Sequence, residues 1–163
     1  MIEARALTRS EESGAVLVSF DPIWYPLLRS GLTAVLRKRV PTTRAPNYIY
    51  FHLNSPIGRI SARAKITSIE TITPGNALKL AEELMLSEKE IRAYTANLDS
   101  IGVYRISNIE MAKYEISTSE LRSVMNYNPP QSFLYLSHQA RSIINEACHF
   151  GPPDVVNSAH SEH

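Results

Sequence analysis

Two runs of cations are the groups in this 163-residue chain best placed to do chemistry. Arg37, Lys38 and Arg39, with Arg44 shortly after, form the first; Arg59, Arg63 and Lys65 form the second. Guanidinium and ammonium groups at this density neutralise backbone phosphates and release condensed counterions, the electrostatic basis of nucleic-acid binding. Between the runs lie Tyr48, Tyr50, Phe51 and His52, and single-stranded bases stack on rings of this kind. Neighbouring strand residues face opposite sides, so Tyr48 and Tyr50 share one face and Phe51 takes the other, and about half of the rings must enter the core. The bland counterpart is a solvated sheet face whose charge is balanced by Glu82, Glu83, Glu88 and Glu90.

The other reactive residue types do not assemble along the chain. His52, His138 and His149 are scattered without ligand spacing, and His160 and His163 end the sequence, so neither a metal nor a cofactor is expected. His138, after Ser137, reads as a first-turn helix residue. Cys148 reads as a buried, inert thiol rather than a nucleophile. No Ser/His/Asp order and no clustered glycines are visible.

These groups must be positioned by a mixed α/β framework. Ala15 to Phe20 is an apolar strand, and Asp21 before Pro22 caps a helix that runs to about Arg29 and ends at Gly31. In that helix Trp24, Leu27 and Leu28 are expected to pack inward. Further strands are expected over Ala34 to Arg39, Tyr48 to Leu53 and Arg59 to Ile66. The last alternates cleanly: Ile60, Ala62, Ala64 and Ile66 belong in the core, and Arg59, Ser61, Arg63 and Lys65 outside. Pro74 to Leu86 reads as one helix, Ser87 with Glu90 as a capping box opening another, and Ile101 to Ile106 and Ile109 to Ile116 as two strands. Ser117 with Glu120 forms a second capping box, and Ser137 caps a last helix to about His149. In Asn128 to Leu136 two prolines fix an extended approach, Gln131 and Ser132 can bond nearby backbone, and Phe133 and Tyr135 share a face.

Composition narrows the classes. The length fits one domain able to bury a core without staples, with 1–13 as a flexible N-terminus and 151–163 as a flexible tail around a domain over 14–150. With 17 basic and 16 acidic residues, whole-molecule charge does not draw the chain to nucleic acid or anionic membrane, so any attraction is local. A single cysteine and the absence of a signal peptide or long apolar stretch lead to the expectation of a cytoplasmic protein with no membrane partner. Oligomeric state is left open.

Three segments carry a family resemblance: SGLTAVLRKRVP from Ser30 to Pro41, YIYFHLNSPIGRISARAKI from Tyr48 to Ile66, and PPQSFLYL from Pro129 to Leu136. In that order they resemble the ASCH family, small barrels related to the PUA-like RNA-binding fold, over roughly Ala15 to Leu136. The resemblance implies an α+β, PUA-like mixed β-barrel with flanking helices, closed by the PPQSFLYL strand. It also implies that the two basic strands lie close together, so that seven cations surround one opening. Gly31 and Arg37 match the family pattern, but Leu32 stands where a lysine is usual and Val35 where an acidic or hydroxyl residue is usual. In the amidohydrolase branch that lysine and hydroxyl, with a later glutamate, hydrolyse an acylated cytosine; leucine has no amine to serve.

The expectation is binding of RNA, or other single-stranded nucleic acid, through a rim comprising Arg37, Lys38, Arg39, Arg44, Arg59, Arg63, Lys65, Tyr48 and Tyr50. A hydrolase acting on a modified nucleobase or RNA is the alternative, with Thr33, Tyr104, Glu110 and Glu115 as suppliers of a reactive group in the barrel mouth. A second alternative is a protein-interaction module of a regulatory or mobile-element system, marked by an exposed apolar patch at Leu32 and Val35.

Overall fold

A curled mixed sheet with helices on its outside is the frame of the molecule. The computed structural model describes residues 14–42, 44–54, 58–124 and 133–153. The strands are β1 (Ala15–Phe20), β2 (Ala34–Arg37), β3 (Tyr48–Leu53), β4 (Arg59–Ile72), β5 (Ile101–Ser117), β6 (Leu134–Tyr135) and β7 (Phe150–Gly151). They run in the order β2-β5-β4-β3-β1-β6, with β7 on β5; β1 and β3 are parallel and the other pairs antiparallel. The helices are α1 (Tyr25–Arg29), α2 (Pro74–Leu78), α3 (Ala81–Leu84), α4 (Glu88–Tyr94), α5 (Thr118–Val124) and α6 (His138–Cys148). No helix among the described residues is long and apolar enough to cross a membrane.

Local signals produce local structure. Asp21 accepts a hydrogen bond from the Ile23 amide at 3.0 Å, opening a 3-10 turn at Pro22–Trp24 ahead of α1. Both capping boxes are present: the Ser87 and Glu90 side chains each bond the other's backbone amide, and Ser117 and Glu120 do the same. Ser137 accepts from the Ala140 amide and starts α6.

Several boundaries differ from expectation. The stretch Pro74 to Leu86 is two short helices, because the Lys79 and Leu80 amides turn back three residues, to the Asn76 and Ala77 carbonyl oxygens, and break the α-helical pattern between them; Met85, at a left-handed φ of 56°, ends the second. β4 continues to Ile72, and β5 is one strand rather than two, with Asn108 at φ 54° absorbing the irregularity between its halves. β2 stops at Arg37. Phe133 and Tyr135 do share the inner face, their rings 5.7 Å apart edge to face, and β6 pairs with β1. That pairing does not close a barrel: β6 and β2 are the two ends of the sheet path, leaving a half-barrel. Residues 129–132, where Gln131 and Ser132 fall, lie outside the described residues, as do 1–13 and 154–163. β7 ends at Gly151, the first residue of the stretch read as tail.

Three apolar clusters hold the frame. The concave face packs Val16, Val18, Ile49, Phe51, Ala62, Ala64 and Tyr104 with Leu28 and Leu32. The convex face packs Leu17, Tyr50, Ile60 and Ile116 against Leu121 of α5 and Ile144 and Cys148 of α6. The third joins Ala34, Leu36, Ile101 and Val103 to Leu84 and Ile91. Gly102 sits where β5 crosses Arg37, and an added Cβ would lie 2.8 Å from Val40 Cγ2 and 3.0 Å from the Arg37 carbonyl oxygen. Gly102→Ala should therefore destabilise by about 1–3 kcal/mol through overpacking. Urea melts check this; an unchanged midpoint would show that Val40 and the end of β2 give way freely.

Candidate nucleic-acid interface

The strand order divides the cations into two groups. β5 stands between β2 and β4. Arg37 is opposite Gly102 and, one strand further, Thr71 of β4, whereas Arg63 is opposite Glu110. Eight residues of β4 separate the two positions, roughly 26 Å along an extended strand. The seven cations therefore do not surround one opening.

The β4 stripe is partly as expected and partly corrected. Ile60, Ala62 and Ala64 are buried and Arg59 and Lys65 exposed. Ser61, assigned to the outer side, is buried and donates to the Glu115 carboxylate, because the register shifts between Ile60 and Ala62. Arg63 is only half-exposed: its Nε donates to Glu110 Oε1 at 2.7 Å, its Nη1 to Asn145 Oδ1 at 2.9 Å, and its guanidinium lies 4.7 Å over the Phe150 ring. Arg59 lies 3.8 Å from Glu115. Tyr50 is not a stacking ring. It is fully buried on the convex face and donates its hydroxyl to Asn145 Oδ1 at 2.6 Å. Tyr48 remains 36% exposed.

The β2 group is arranged differently. Arg37 is half-buried and Lys38, Arg39 and Arg44 are exposed, and none of the four makes an ion pair among the described residues. Two of them lie over rings: Lys38 Nζ is 5.8 Å from the Tyr94 centroid, and the Arg44 guanidinium 4.2 Å from that of Tyr135. Tyr135 also donates its hydroxyl to the Arg44 carbonyl oxygen at 2.9 Å.

A groove of about 400 Å³ runs beside this group. Trp24 and Leu27 form one wall, Leu86, Ala93 and Tyr94 the other, and Leu32 with Val35 and Arg37 of β2 lies between them. Asp21 and Glu90 add carboxylates at the margin. Leu32 and Val35 are each only 3% exposed, so they line this groove from within and do not form an exposed apolar patch. Val35 is the cross-strand partner of Tyr104.

Tyr104 is buried and its hydroxyl has no hydrogen-bond partner among the described residues; the same is true of Arg37 Nε. Burial pushes the Tyr104 phenol far above its ordinary range, more than the nearby Arg37 charge pulls it down. It stays a neutral donor and not a base. Of the four groups considered for a reactive role in the mouth, none lines the groove: Tyr104 is fully buried on β5, opposite Val35. Glu110 and Glu115 are engaged with Arg63 and Ser61, and Thr33 is exposed with its hydroxyl toward the Glu83 carbonyl oxygen at 3.4 Å. Cys148 is buried, its thiol pushed up to about 11 chiefly by that burial. His52 is also buried, which lowers its basicity; its Nε2 is 2.8 Å from Thr118 Oγ1. Among the described residues no three His, Cys, Asp or Glu side chains gather as metal ligands.

Sequence patterns did not point to Trp24 and Tyr94 as groove walls, nor to Arg141 beside Tyr48. Trp24 and Tyr94 belong to helices whose apolar spacing explains them as packing residues. Arg141 is a single polar position on α6, and only docking of that helix brings its guanidinium 5.0 Å over the Tyr48 ring.

No family model matches the sequence, and no curated protein matches it. Solved structures do. ASCH from Zymomonas mobilis is similar with a TM-score of 0.76 and 19% identity, over 86% of this chain and 98% of that one. A tyrosine-to-phenylalanine variant of the same protein gives 0.73 and 18%, over 82% and 97%. The N-terminal domain of Staphylothermus marinus McrB gives 0.58 and 9%, over 84% and 96%. The half-barrel, its mixed strand order and these likenesses together identify an ASCH-type fold.

Proposed function

We propose that residues 14–150 act as one cytoplasmic domain that binds single-stranded nucleic acid, RNA foremost. A base enters the groove between Trp24 and Tyr94, and phosphates lie along Lys38, Arg39 and Arg44. The observation that carries this reading is a pair of buried donors without partners among the described residues, Arg37 Nε in the groove and the Tyr104 hydroxyl behind Val35, beside four cations that make no ion pair among those residues. Buried donors left unmade are costly, and a ligand oxygen relieves the cost. Flat rings supply stacking, which tolerates any base. The ASCH-type fold and its PUA-like kinship support the same reading at the level of analogy.

Affinity for a short oligoribonucleotide should fall steeply with salt, with a log–log slope of about −0.7 per neutralised phosphate. Lys38→Ala with Arg39→Ala should flatten that slope by about 1.4, two contacts' worth. Arg63→Ala should leave it unchanged, since Glu110 already neutralises that guanidinium. Filter-binding titrations decide: no binding at low salt, or an unchanged slope in the double variant, returns these cations to an ordinary solvated surface. In that event the apolar lining of the groove favours the second reading, a module that docks a protein segment.

A further inference from the structure

On the convex side a second pair of hollows, about 640 and 330 Å³, opens on either side of one stacked pair, Tyr48 and Arg141. The larger is bordered by Lys65 and Asn108, the smaller by Asn47 and Asn145. Lys65 is the cross-strand partner of Tyr48, is exposed, and makes no ion pair among the described residues. The elements are those of a single-strand track: an exposed ring backed by a guanidinium, an adjacent unneutralised ammonium, and side-chain amides with donors and acceptors.

The two grooves are joined by a short piece of chain. Arg44 lies over Tyr135, whose ring packs against the same apolar cluster as Leu32 and Val35 of the first groove. Four residues later comes Tyr48, a span of at most about 14 Å. Arg44, Ala45 and Asn47 on this lip are exposed.

We infer that a nucleic-acid strand seated in the first groove continues over the Arg44–Asn47 lip and lies against Tyr48, Arg141 and Lys65, which form a second subsite for the neighbouring nucleotides. This rests on the single-strand reading above and adds to it a direction and a length. The site is larger than one base and covers several nucleotides, within the roughly 4–16 that comparable small barrels occupy. Tyr48 stacks a base, Lys65 takes a phosphate, and Arg141 holds the ring in place from behind.

Fluorescence anisotropy with labelled oligouridylates of four and twelve nucleotides tests it on the full chain. The twelve-mer should bind at least tenfold tighter than the four-mer. Tyr48→Ala, and separately the exposed-site change Lys65→Glu, should lower twelve-mer affinity by about tenfold, one stacked base or one phosphate contact, and leave four-mer affinity as it was. Arg37→Ala should weaken both lengths. Equal affinity for the two lengths, or a twelve-mer indifferent to both convex-face variants while Arg37→Ala still weakens it, overturns the second subsite and leaves the first groove standing. Failure of the wild-type chain to bind either length overturns both. Melting curves of each variant establish that the comparison is between folded proteins.

Discussion

Replacing Tyr50 by alanine should lower the free energy of unfolding by about 3–5 kcal/mol, the range for removing a large buried ring. The ring is fully buried, meets Phe150 edge to face at 5.7 Å, and its hydroxyl is one of two donors on Asn145 Oδ1. Tyr50→Phe keeps the packing and removes one hydrogen bond, so its cost should be nearer 1 kcal/mol. Asn145 Oδ1 keeps its bond from Arg63 in that variant. Urea unfolding of the two variants separates these values, and oligonucleotide binding by Tyr50→Phe should equal wild type. An alanine variant that is fully folded, hardly destabilised and deficient in binding would return Tyr50 to the ligand surface.

Tyr104→Phe should act with opposite signs on stability and binding. The hydroxyl is buried without a partner among the described residues, so the folded protein has its desolvation without the compensating bond, and deleting it should be neutral or stabilising, by up to about 1–3 kcal/mol. If that hydroxyl meets a ligand oxygen in the complex, the same change removes a bond made only on binding. A neutral bond is worth about 0.5–1.5 kcal/mol, so affinity should fall roughly 2- to 12-fold. Such opposition is the mark of a group kept for binding at the expense of the fold. Thermal melts and oligonucleotide titrations on one preparation measure both. A variant less stable than wild type would show that the hydroxyl is satisfied in the free protein, and with that the observation behind the proposed groove would be lost.

The contrast between Tyr48 and Tyr50 shows where legibility stops. Alternation along β3 correctly grouped the two rings on one face. It could not say what covers that face. α6 lies over Tyr50, placing Asn145 against its hydroxyl, and leaves Tyr48 at the margin beside Arg141. The covering helix is nearly a hundred residues away in sequence, and no local pattern carries that information. The same holds for Arg63, whose partners are 47 and 82 residues distant.

The features legible along the chain follow from short-range physics. The caps at Asp21, Ser87, Ser117 and Ser137 depend on residues two or three positions apart, and the core face of β4 at Ile60, Ala62 and Ala64 on a repeat of two. Those are visible in any linear reading, as is the order of segments that resembles the ASCH pattern. Which cations lie near one another depends on how the strands are ordered across the sheet. β5 enters between β2 and β4, so runs adjacent in sequence end up about eight strand residues apart, with the first group making no ion pair among the described residues and Arg59 and Arg63 of the other paired to Glu115 and Glu110. Sheet order is set by burying all three apolar clusters at once, a condition on the whole chain that no single stretch of it expresses.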